Sequence, residues 1–143
     1  MTRLRMLHEF NGPEYRNLIS IACETCQYFS FSTFNYYHKK DHEPSYHELL
    51  QFLSEYEQDF YKFTLPKHYS RVQIHIYKLQ QETKQIFSFV DNLYDWCPSR
   101  YPEDLCFYRG KKILFESITH EKLAFLHTEN IGDANQWNSF ELI

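Results

Sequence analysis

The sequence predicts an α+β fold, three antiparallel helices followed by a small antiparallel β-hairpin or meander, and three observations predict it. Apolar residues recur at steps of three and four through the first two thirds of the chain, and short aromatic and branched runs then flank Gly110-Lys111. With 3 Gly and 5 Pro in 143 residues, loops should be few. A chain of this length is expected to form a single domain over 1–143, with a helical layer over about 12–96, a hairpin region over about 102–128 and a polar tail over 129–143.

The first helix starts at Asn11-Gly12-Pro13-Glu14, where a cap residue, a proline in the first turn and an acid at the positive end of the dipole stand together. Tyr15, Leu18, Ile19, Ala22, Cys26 and Phe29 then form one stripe. The stretch from Tyr28 to Phe34 alternates as a strand would, but the neighbouring sequence offers it no partner, so the helix is extended to about residue 34. After the polar connector from His38 to Pro44, Ser45-Tyr46-His47-Glu48 has the Ser-x-x-Glu pattern of a capping box. The second helix carries Leu49, Leu50, Phe52, Leu53, Tyr56, Phe60 and Phe63 as its apolar face, and Pro66 stops it. Val72, Ile76, Leu79, Thr83, Ile86, Val90 and Leu93 follow at alternating steps of four and three, which predicts a long third helix ending near Trp96. Val72, Ile74 and Ile76 taken alone would also fit a strand.

From Pro102 the pattern changes. Leu105 to Arg109 and Lys112 to Ser117 read as the two arms of a hairpin, and Leu123 to His127 as a third meander strand. In the polar tail, Trp137 is the one candidate for burial.

Fifteen Lys and Arg against nineteen Asp and Glu give a net charge of −4, with basic residues scattered rather than lined up for phosphates. Nucleic acid is therefore not an expected partner. No apolar run suits a signal peptide or a membrane span, so no membrane association is expected and the cytoplasm is the expected location. In that compartment Cys23, Cys26, Cys97 and Cys106 should stay reduced. Their alternative is a four-thiolate zinc site, since Cys23 and Cys26 have the spacing of a metal knuckle. The gap between Cys97 and Cys106 is not a knuckle and the first pair falls in a helix, which favours free thiols and no metal.

The densest polar constellation lies at the hairpin. Glu103 and Asp104 precede its first strand while His120 and Glu121 follow its second, and antiparallel pairing brings both ends to one edge. A carboxylate beside His120 would fix one tautomer and raise its basicity, as general bases require, so Asp104, His120 and Glu121 are the catalytic candidates. A structural cluster of turn hydrogen bonds is the simpler account of the same residues. As a binding site the set is Glu103, Asp104, Tyr108, His120 and Glu121. Asp91 and Asp95, four apart, suit a solvated face better than a cation, and His38, His42 and His47 lack zinc-protease spacing. Cys106 sits mid-strand on one face with Tyr108 and reads as a packed thiol. No nucleophile elbow, phosphate loop or dinucleotide fingerprint is present, so no cofactor is expected.

The aromatic load is 13 Phe, 12 Tyr and 2 Trp. Tyr36, Tyr37, Tyr46, Tyr61, Tyr69, Tyr94, Tyr101 and Tyr108 are too many for a small core with satisfied hydroxyls, which places some of them on the surface as a protein-binding face. The leading expectation is thus a non-enzymatic interaction or regulatory module, holding a protein partner or a second copy of itself through its tyrosines and the hairpin edge. The alternative is a small hydrolase or metal-dependent enzyme centred on Asp104, His120 and Glu121.

The segment from Pro102-Glu103-Asp104-Leu105 through Tyr108 and Gly110 to Ser117-Ile118-Thr119-His120-Glu121 resembles a group of small Gram-positive bacterial proteins, some labelled as similar to stage III sporulation protein AH. The resemblance covers about 20 residues and implies a bacterial cytoplasmic protein. It transfers no activity, and a member of the sporulation channel would carry a membrane span that these residues do not supply.

Overall fold

The structure, a computed structural model, describes residues 2–34, 41–59 and 72–128, together with Trp137 and Phe140 of the tail. It replaces the expected three-helix layer with a seven-stranded antiparallel sheet in the order β1-β7-β6-β5-β2-β4-β3. The strands are β1 (Thr2–Arg5), β2 (Tyr28–Phe34), β3 (Glu57–Gln58), β4 (Val72–Lys78), β5 (Glu103–Arg109), β6 (Lys112–Ile118) and β7 (Leu123–Thr128). Helices are α1 (Pro13–Thr25), α2 (Pro44–Leu53) and the single turn α3 (Gln81–Lys84), which runs on as 3₁₀ turns to Phe89.

Each departure has a physical reason. The alternation in Tyr28–Phe34 is a strand after all, because its partners lie far along the chain: Phe29 stands opposite Tyr77 of β4 and Phe107 of β5. The stripe from Val72 to Leu93, expected to be one helix, is a strand followed by short turns. Thr83, one position of that supposed seam, instead caps α3, its hydroxyl accepting from the Gln80 N–H at 2.9 Å and donating to the Lys78 carbonyl at 2.8 Å. The second helix ends at Leu53 and gives way to a 3₁₀ turn and β3, well before Pro66. Pro44 opens it with no side-chain cap, and the Ser45 hydroxyl donates to the Arg100 carbonyl rather than closing a capping box. Phe60 and Phe63 lie outside the described residues.

The hairpin β5–β6 turns at Gly110, whose φ of 60° suits a residue without Cβ. It is not an appendage to a helical body. Its two strands lie inside the sheet, with β2 on one side and β7 on the other.

One register row crosses the sheet and explains the aromatic load. Tyr77, Phe29, Phe107, Phe115, Leu126 and Leu4 stand side by side on one face. Against this face pack Tyr15, Leu18 and Ala22 of α1, Leu49 and Leu53 of α2, and Ile86, Phe87, Leu93 and Trp96 from the turns after β4, all in one buried cluster. Phe29 meets Phe87 edge-on at 5.2 Å between centroids, and Phe31 meets Trp96 at 4.9 Å. Two buried polar tips are tied to one another here: the Tyr15 hydroxyl donates to the Phe87 carbonyl at 2.7 Å and accepts from Trp96 Nε1 at 3.1 Å. From the tail, Trp137 is fully buried and stacks on Phe115. Among the described residues no helix is long and apolar enough to cross a membrane.

Candidate functional site

The open end of the hairpin does gather polar groups, in an arrangement set by a bulge. From Ser30↔Cys106 to Ser32↔Glu103, β2 advances two residues while β5 advances three, and Asp104 absorbs the difference with φ 57°. Asp104 thereby faces the turn that follows β6. Its Oδ1 accepts from the Thr119 N–H at 2.7 Å, its own N–H donates to Thr119 Oγ1 at 3.1 Å, and Thr119 Oγ1 in turn donates to the Trp96 carbonyl at 3.1 Å. Burial holds the Asp104 carboxyl above its usual range, with the two Thr119 contacts and His120 acting in the opposite sense.

Glu103 is the more unusual acid. Its side chain is 1% exposed, and His120 Nε2 lies 2.9 Å from its Oε2. That contact lies outside hydrogen-bond geometry, so neither carboxylate oxygen has a hydrogen-bond donor among the described residues. Burial, reinforced by the charge on Asp104, pushes the Glu103 carboxyl up to about 8. His120 is half exposed, with the Phe34 ring edge-on at 6.2 Å, and Glu121 is exposed in the same turn. The structure therefore brings Glu103, Asp104 and His120 together, with His120 and Glu121 on a solvated turn. Tyr108 is elsewhere: it is buried, its hydroxyl 2.8 Å from Ser30 Oγ.

The other candidates are dispersed. Among the described residues no three of His, Cys, Asp and Glu are grouped so as to hold a metal ion, and the four cysteines of the zinc alternative are separate free thiols. Burial pushes Cys23 and Cys26 up to about 11 and raises Cys97 and Cys106 as well, the opposite of what an activated thiol needs. Asp91 and Asp95 are exposed on the turns after β4, not on one helix face. His42 stacks on Tyr46 at 3.8 Å, and His38 lies outside the described residues. A second polar cluster stands on the other face of the sheet, where Glu116 Oε1 is 3.0 Å from His127 Nε2 and 3.8 Å from Arg3 Nε. The hydrogen bond from His127, helped by its charge and that of Arg3, lowers the Glu116 carboxyl against the effect of burial.

The expected tyrosine surface is not what the described residues present. Tyr46, Tyr101 and Tyr108 are buried, Tyr94 is half-buried, and Tyr36, Tyr37, Tyr61 and Tyr69 lie outside the described residues. The large exposed apolar side chains among the described residues are instead Leu7, 38% exposed, Phe52, 41% exposed, and Phe89, 51% exposed. The two phenylalanines stand on the two walls of a groove of about 300 Å³. Ser45, Glu48, Leu49 and Phe52 of α2 form one wall, Gln85, Ile86 and Phe89 the other, and Tyr101 also lines it. Buried Leu49, Ile86 and Tyr101 anchor the groove in the core, so its apolar lining is held open by packed side chains.

Sequence periodicity assigned Phe52 to the core face. The signal that it is not lies in the same numbers: at 100° per residue, Leu50, Leu49, Leu53 and Phe52 span about 160° of the helix, wider than the roughly 100° stripe that one core contact covers. One flank of such a face remains outside. Phe89 carried no comparable signal.

No protein-family model, curated protein or solved structure matches the chain, so the function rests on this geometry.

Proposed function

We propose that this protein is a non-enzymatic interaction module that works in the cytoplasm and docks a protein partner in the groove between α2 and the turns after α3. The observation that carries this is the pair Phe52 and Phe89, large apolar side chains left in solvent on opposite walls of an apolar cleft. Exposing two phenylalanines beside each other costs solubility without adding to the core, and aromatic side chains around a preformed pocket are where binding energy concentrates in protein interfaces. Four free cysteines suit a reducing compartment.

The hydrolase alternative has less support. The Asp104 carboxylate is occupied by the Thr119 N–H, while His120 and Glu121 are exposed on the turn after β6, so the three candidate catalytic groups do not share the groove.

Display of a random peptide library against the immobilised full-length protein tests the docking role. Enriched peptides should lose binding to a Phe52→Ser/Phe89→Ser double variant and keep binding to Glu103→Gln, which alters the strand end instead. Peptides that bind the double variant equally well would overturn the assignment of the groove.

A further inference from the structure

The chemistry of the partner follows from charge placed beside the groove. Between residues 41 and 59 there are six acids, Asp41, Glu43, Glu48, Glu55, Glu57 and Asp59, and no Lys or Arg. Glu48, Phe52 and Glu55 follow at steps of four and three, and all three are exposed, so an acid precedes and follows the exposed phenylalanine along one side of α2 and the turn after it. Glu48 is also the one charged residue among those that line the groove. The opposite wall offers no matching positive line: of the residues that line it, Gln85, Ile86 and Phe89 are uncharged, and the Arg100 guanidinium lies over the Tyr101 ring at 5.4 Å.

We propose that the groove takes a cationic peptide segment of a partner protein, seating one or two large apolar side chains between Phe52 and Phe89 while Lys or Arg residues lie along α2. This rests on the docking role proposed above and adds the class of ligand. Charge decides among the possible occupants. A second copy meeting the same face across a two-fold axis would set Glu48 and Glu55 against their own counterparts, which costs affinity. A segment bearing positive charge gains from the same acids, both in its rate of encounter and in its choice against other apolar segments.

Fluorescence anisotropy of labelled synthetic peptides on the full-length protein tests this. The probes share one amphipathic apolar stripe and differ in having lysine, glutamate or serine on the flanks. The lysine peptide should bind about tenfold or more tighter than the glutamate peptide at low salt, and that ratio should shrink in 0.5 M salt. A Glu48→Gln/Glu55→Gln variant, with circular dichroism confirming its fold, should lose most of the discrimination while still binding the serine peptide. Equal binding of all three peptides, abolished by Phe52→Ser/Phe89→Ser, would overturn the cationic partner and leave the docking groove standing. Lysine-peptide binding that survives Phe52→Ser/Phe89→Ser, or no binding by any probe, would overturn the docking role itself.

Discussion

Glu103 shows how burial, with a like-charged neighbour in support, sets the state of a side chain. An unfolded glutamate ionises near 4.5, whereas the folded carboxyl holds its proton up to about 8. Folding therefore takes up a proton in that window, and the contribution of Glu103 to stability falls as pH rises from about 4.5 to about 8, then levels off. Glu116 acts in the opposite sense: its depressed folded value adds stability that is present above the unfolded value and lost in acid. Glu103→Gln keeps the size of the side chain and removes its ionisation, so it separates the two effects. The variant should gain on the parent protein as pH rises, by about 1–3 kcal/mol at pH 9, and gain little at pH 5. Urea unfolding midpoints at pH 5, 7 and 9 measure this, and a variant that tracks the parent at all three values would show that Glu103 ionises normally. The strand-end cluster then has a structural role, clamping β5 to the turn after β6, in keeping with the Asp104–Thr119–Trp96 hydrogen bonds.

Among the elements, β2 bears the most, since it pairs along its length with β4 and joins them to β5 through a bulge. Phe29→Ala removes a fully buried ring from the centre of the aromatic row and should cost about 3–5 kcal/mol, whereas Phe52→Ala on the exposed flank of α2 should stay within about 0.5 kcal/mol. Chemical denaturation of the two variants reads the contrast, and equal losses would contradict the placement of either ring. Local chemistry in this chain was legible from the residues: Gly12-Pro13-Glu14 does open a helix, and Gly110 does turn a hairpin. What could not be read was pairing at a distance. The alternation in Tyr28–Phe34 was visible, but its partners begin at Val72 and Glu103, and a helical stripe explained the same letters without them. The run from Val72 to Leu93 misled for the same reason, since steps of three and four also arise when a strand, a cap and a 3₁₀ turn happen to follow one another.

At the scale of the described molecule, one face of the sheet is sealed by aromatic packing with the helices, and the proposed docking groove lies where that seal is incomplete. The expectation that Glu103, Asp104, His120 and Glu121 share one edge rested on the two ends of a hairpin being neighbours; the first three stand together, and Glu121 is exposed in the same turn. The groove was not legible, because it is made by α2 and by turns that the sequence presented as continuous helix, and a cleft between elements exists only once their true ends are known. Net charge of −4 hid a local asymmetry as well, since residues 41–59 hold six acids, Glu48 on the groove among them, and no Lys or Arg. Heteronuclear NMR on the full-length protein, titrated with the lysine-flanked peptide, tests the docking surface most directly. Shift changes should centre on Leu49, Phe52, Ile86, Phe89 and Tyr101 and leave Asp104, Thr119 and His120 unmoved; changes centred on those three, with the groove silent, would contradict it.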